Sequence, residues 1–147
     1  MRTFTAREIV RAAPEAIFDF VADHRNVPLV LEGVSRWEPV GRRTSGGGAR
    51  FEVEMKTLGF PLAEVLVLDL WDRPRAIGWR SESGFIPQRG GWRLVPREAG
   101  TEIELSISYQ PPGAGLGNLV AGAVEGIVRH RLEAALTSIK ERLEEPS

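Results

Sequence analysis

The side chains able to do chemistry are few in this chain. It carries two histidines, His24 and His130, and no cysteine, so disulfides, thiolate nucleophiles and Cys-based zinc sites are excluded by inventory. Neither histidine has further ligands at a suggestive spacing, so no metal site and no cofactor is expected. His24 falls at the end of the first predicted helix, where a capping or surface role is expected. His130, in "VRHRLE", is expected to face solvent. A Ser-His-Asp triad lacks the nucleophile-elbow "GxSxG" that would support it. The glycines of "GAGLGN" place Asn118 where the dinucleotide fingerprint requires its last glycine, and they follow two prolines and an antiparallel strand instead of opening a βαβ unit. "SGGGAR", at 45–50, lacks the Lys-Ser/Thr ending of a P-loop and reads as a hairpin turn. What remains is Tyr109, whose hydroxyl can donate to a ligand carbonyl or simply reach water, and Ser81, which can orient a ligand or bond only to backbone.

The bulk properties narrow the partners. A chain of 147 residues with a formal charge of −1 suits one domain over 1–147 and buries about 70% of its unfolded surface. Arginines 42, 43, 129 and 131 are too dispersed to form a nucleic-acid groove, so no nucleic acid is expected. "MRTFTAREIV" has no apolar stretch of signal-peptide length before Arg7 and Glu8, which predicts a soluble, cytoplasmic protein.

The elements that must position these residues follow from periodicity. "RTFTAREIVRA" alternates loosely as a strand, and Pro14 stops it. "PEAIFDFVADH" sets Ile17, Phe20, Val21 and His24 at helical spacing behind an N-terminal proline. "RNVPLVLEGV" is interrupted by Pro28 and ended by Gly33, which predicts a second short helix. From Ser35 the period becomes two. In "ARFEVEMK", Ala49, Phe51, Val53 and Met55 share one face while Arg50, Glu52, Glu54 and Lys56 share the other, as in a half-buried antiparallel strand. "LAEVLVLDLW" is a nearly unbroken apolar run read as a strand. "AIGWRSES" and "GGWRLVPR" each carry a tryptophan. "GTEIELSISYQ" alternates again, with Ile103, Leu105, Ile107 and Tyr109 on one side. Short connections make a meander of antiparallel strands. "PPG" ends it, and residues 116–145 read as one helix. Strand, two short helices, about six strands and a long helix make an α+β pattern.

The long helix raises the question of what it touches. Its uncharged run stops at Glu125, far short of the ~20 residues that span a bilayer, so no membrane insertion is expected. Val120, Val124, Val128, Leu132, Ala135, Ile139 and Leu143 form an amphipathic stripe of ordinary core type. Beside the first half of that stripe stand Ala121, Gly122, Ala123 and Gly126, apolar and small. A mid-helix glycine costs about 1 kcal/mol relative to alanine. These residues leave room for a ligand or allow a neighbouring element to pack closely.

"VRAAPEAIFDFVADHRNVPLVLEGVSRWEPVG", the hairpins, "GTEIELSISYQPPGAGLGNLV" and a final helix ending "LTSIKERLE" together resemble the polyketide cyclase/dehydrase and lipid-transport family of the START and birch-pollen-allergen superfamily. The resemblance covers essentially the whole chain and contains no catalytic signature. It implies a helix-grip fold, in which a curved antiparallel sheet of about seven strands wraps a long C-terminal helix and encloses an apolar cavity. On that fold, Phe51, Val53, Met55, Trp79, Ser81, Trp92, Leu105, Ile107 and Tyr109 would line the cavity from the sheet, and Val120, Val124 and Ile127 would close it from the helix. The same residues are equally read as plain core. The implied function is binding or transport of a hydrophobic small molecule, lipid- or polyketide-like. The alternatives are a cyclase/aromatase or dehydratase using the same cavity, or an interaction module with a closed core and an exposed apolar patch.

Overall fold

A computed structural model describes residues 2–57, 60–84, 86–110 and 118–144, with residues 57, 60, 84 and 118–121 described by backbone alone. Strand β1 (Arg2–Val10) leads into helix α1 (Pro14–Ala22), a 3-10 turn (His24–Asn26) and helix α2 (Val27–Val30). Six strands follow: β2 (Val34–Pro39), β3 (Arg50–Thr57), β4 (Phe60–Asp72), β5 (Ala76–Gly84), β6 (Gln88–Arg97) and β7 (Gly100–Tyr109). Helix α3 (Asn118–Leu143) completes the chain's described structure.

The seven strands form one antiparallel sheet in the order β1-β7-β6-β5-β4-β3-β2. Consecutive strands from β2 to β7 are neighbours, as short connections require. Strand β1 is the exception, since it pairs with β7 at the edge opposite β2, and α1 and α2 therefore carry the chain from one edge to the other. Register irregularities interrupt the β4–β5 pairing between Val65 and Leu66 and between Leu68 and Leu70. Such bulges increase local twist and let long strands curl. This is the helix-grip arrangement, a curled antiparallel sheet with a long C-terminal helix and short helices after the first strand.

Alternation decides which side chains enter the core. Phe51 and Val53 of β3 are buried while Arg50 and Glu52 are exposed, and Ile103 and Leu105 of β7 are likewise buried. Pro14 starts α1 in its first turn, and the buried side of that helix is Ile17, Phe18 and Val21. Phe18, not Phe20, is the fully buried aromatic, packed edge-on against Trp71 with ring centroids 5.2 Å apart. Positions i, i+1 and i+4 lie on one side of a helix, so a wide apolar face admits both phenylalanines and tertiary contact selects between them.

Helix α3 begins and ends near its predicted bounds, but its two halves differ. Leu132, Ala135, Leu136 and Ile139 are buried in the core. In the first half Gly122, Ala123 and Gly126 are exposed, and Val124, Ile127 and Val128 are half-buried. A Cβ added at Gly122 or Gly126 would meet nothing within 4 Å. Of the two explanations for these small residues, a close-packed neighbour is therefore not what the described residues provide.

Candidate functional site

The candidate site is the inner face of the sheet together with the first half of α3, which is only partly packed on the core. That half is tied down on two sides. Toward β1, Glu125 pairs with Arg2, and the Arg129 guanidinium lies over the Phe4 ring at 4.8 Å. On the other side, the Arg131 guanidinium donates to the Lys56 carbonyl of β3, and His130 Nε2 lies 3.3 Å from Oε2 of Glu32, in the turn before β2. A Cβ on Gly33 would come within 2.4 Å of the Arg131 guanidinium, and the backbone there has φ +85°. Glycine satisfies both demands at once. Burial lowers the Arg131 pKa, opposed by the field of Glu32. Beside this clasp an open cleft of about 550 Å³ runs along Ala123, Gly126 and Ile127 to Gly33 and His130.

Deeper, between the sheet and the α1–α2 segment, lies a smaller void of about 20 Å³. Trp37, Phe51, Trp79, Trp92, Leu68 and His24 are among its walls. A void of that size holds about one water-sized group. Trp37 meets Trp79 edge to face, with centroids 5.6 Å apart. The Trp79 ring lies against Gly90, its partner across the β5–β6 pair, where an added Cβ would come within 2.6 Å of the indole. The indole N–H of Trp79 is buried and has no hydrogen-bond partner among the described residues. The other buried side-chain atom in that condition, Arg36 Nε, belongs to a side chain facing Glu52 and Glu54.

The residues nominated from the sequence are distributed unevenly. Phe51, Trp79 and Trp92 converge on the small void. Val53 and Leu105 are fully buried in the core, while Met55, Ile107 and Val124 are partly buried and packed against it. Ile127 lies on the open cleft instead. Ser81 accepts a hydrogen bond of 3.0 Å from the Gln88 backbone N–H. Tyr109 is buried and stacked on Phe4 at 5.9 Å, and burial raises its hydroxyl pKa. Val120 lies in the first turn of α3, where its side chain is outside the described residues.

Two features escaped the sequence reading. His24 does not cap a helix. Asp23 does so by accepting from Arg25 N, and the Arg25 guanidinium beside it holds its carboxyl down at about 2. The His24 ring instead tilts against Phe51 at 5.9 Å. The second feature is Glu64, 4% exposed on β4. It accepts a hydrogen bond from Gln88 Nε2, and desolvation raises its pKa, opposed by that bond and by the Ile86 backbone N–H. The signal was present: counted in twos, "LAEVLVL" sets Glu64 on the face of Leu66 and Leu68, both buried. Among the described residues no group of three His, Asp or Glu side chains is placed to hold a metal ion, and no helix is long and apolar enough to cross a membrane.

A curled sheet closed by one helix, with an apolar inner face and an incompletely packed helix half, defines the helix-grip class. Residues 1–144 match the family model described as polyketide cyclase / dehydrase and lipid transport, and the chain belongs to that family. Solved structures agree in fold. A protein from Thermus thermophilus, TTHA0849, superposes with a TM-score of 0.82 at 22% identity, covering 97% of each chain. The Zhui aromatase/cyclase from Streptomyces superposes with a TM-score of 0.79 at 19% identity, over 97% of this chain and 93% of its own. A START superfamily protein from Mycobacterium smegmatis superposes with a TM-score of 0.76 at 14% identity, over 96% of each chain. At these identities the likeness is one of fold. No curated protein matches the chain.

Proposed function

We propose that this protein, acting as one domain in the cytoplasm, binds or carries a hydrophobic small molecule, lipid- or polyketide-like, between the inner face of the sheet and the first half of α3. The observation that carries this reading is the helix half itself. It exposes Ala123 and Gly126 on an open cleft of about 550 Å³ whose other wall is Glu32 and Gly33, at the turn before β2, and nothing lies within 4 Å of where a Cβ on Gly126 would stand. Clefts of roughly 300–1,000 Å³ are the usual size for small-molecule sites. Burying a molecule against Ala123, Gly126 and Ile127 removes apolar surface from water, at about 25 cal/mol per Å². Family membership is in keeping with this use. A cyclase or dehydratase would need several polar groups converging on a substrate, and among the described residues the buried polar or charged side chains are Glu64 and Thr101, of which Thr101 is taken up by the Ala12 carbonyl.

Native mass spectrometry on gently purified protein tests the proposal. A co-purifying apolar molecule, displaced when Gly126 is replaced by a bulky residue such as Leu, is the expected result. Protein that arrives empty, and fails to take up any member of a series of fatty acids and polycyclic aromatics, overturns it.

A further inference from the structure

Among the described residues the inner face holds one buried carboxyl. Glu64 of β4, Gln88 of β6 and Ser81 of β5 are joined there, since Gln88 Nε2 donates to Glu64 and Gln88 N donates to Ser81 Oγ at 3.0 Å. Among the described residues Glu64 is the sole charged-type side chain in the buried set, and no salt bridge places a cation on it. A carboxyl that is 4% exposed without a cation is costly to keep ionised. Its own oxygens are also not exhausted, because a carboxyl group offers about four lone-pair sites or one O–H donor. One two-residue repeat along β5 from Ser81, about 7 Å, stands Trp79, whose buried indole N–H has no acceptor among the described residues. Unmet donors on a buried face cost stability unless something supplies the acceptor.

We infer that Glu64, Gln88 and Ser81, with Trp79 two residues from Ser81 along β5, form a hydrogen-bonding subsite for the carbonyl oxygen of an otherwise apolar, uncharged ligand. The inference rests on the hydrophobic-ligand reading and adds the chemical class of the ligand's polar end. Glu64 serves it in the protonated form, as an O–H donor held in place by the Gln88 amide. Gln88 in turn is fixed by the backbone bond to Ser81. Across the sheet Val53 and Gly84 stand opposite Glu64, and neither titrates. The titratable group next along the face is Tyr109, opposite Gln88, with a pKa above the ordinary phenol value. His24 lines the small void with Trp79, so the pH dependence is assigned to Glu64 by its loss in Glu64→Gln and its retention in His24→Asn.

Calorimetric titration with three probes of one shape separates the possibilities: acetylnaphthalene, ethylnaphthalene and the cationic naphthylethylamine. The ketone is expected to bind about fivefold or more tightly than the hydrocarbon, which is what one neutral hydrogen bond is worth. That preference should shrink as pH rises through the Glu64 pKa. Glu64→Gln, which keeps a donor, should retain the preference and lose its pH dependence, and Glu64→Leu should abolish the preference while still binding the hydrocarbon. If wild type binds ketone and hydrocarbon equally, the subsite is overturned and the hydrophobic site stands. If it binds neither, both readings fall. Tighter binding of the amine would mean an ionised carboxylate and would overturn the carbonyl assignment. The wild-type comparison decides the matter even where a variant does not fold.

Discussion

In the second half of α3, Leu132, Ala135, Leu136 and Ile139 are buried, while a few turns earlier Gly122, Ala123 and Gly126 are exposed beside an open cleft. The two halves belong to one continuous helix and carry one apolar stripe. They differ in what stands opposite them. The second half lies in the common core with α1 and the sheet, and its large side chains fill the space. The first half packs Val124 and Val128 against the core and is held by Glu125, Arg129 and Arg131, while Gly122, Ala123 and Gly126 stay exposed. A helix can therefore be anchored by polar contacts without being fully packed along its length. That separation between fastening and packing is what a binding space requires.

The largest expected effect tests the packed half. Ile139→Ala should cost about 2–5 kcal/mol by urea unfolding, the range for deleting fully buried aliphatic side chains. Val124→Ala, half-buried in the open half, should cost clearly less. Equal losses would remove the contrast.

Glycines sharpen the comparison. At Gly90 the space is occupied, because the Trp79 indole lies within 2.6 Å of where a Cβ would stand. Gly90→Ala should cost about 1–3 kcal/mol, as overpacking does, and should change the tryptophan near-UV circular dichroism. At Gly126 nothing is in the way. Gly126→Ala should stabilise by up to about 1 kcal/mol through helix propensity. A loss of stability there would show that a neighbour already fills the cleft.

The smallest effect concerns Glu64. Its folded-state pKa is raised from the ordinary 4.5, so burial of this group opposes folding only once it would ionise. Its favourable share is whole below that ordinary value and is lost as pH rises from there through the folded-state value. Glu64→Gln does not titrate, so its melting temperature relative to wild type should climb across that same interval and level off above it. A difference that stays constant with pH would show that Glu64 titrates alike in folded and unfolded chains.

Much of this was legible in the chain itself. Alternation in "ARFEVEMK" and "GTEIELSISY" announced buried Phe51, Val53, Ile103 and Leu105, because a strand shows its two faces at every second residue. The seven strands and the closing helix could likewise be read in order from turns and prolines. Trp37 and His24 were not recognised as walls of the small void, since their role depends on Phe51 and Trp79 arriving from other strands. Glu64 was passed over inside an apolar run although its parity matched Leu66 and Leu68. A single glutamate reads as solvated until its surroundings are known.

The sequence by itself determined the order of elements, the apolar face of each and the want of thiol chemistry, all of which are local or compositional properties. Only the tertiary structure decided that Gln88, 24 residues downstream, meets Glu64, that Arg131 closes over Gly33, and that the second half of α3 is buried while part of the first half stays exposed. Burial and pairing between distant residues are set by strand register and by the curl of the sheet, and neither is written in any short stretch of chain.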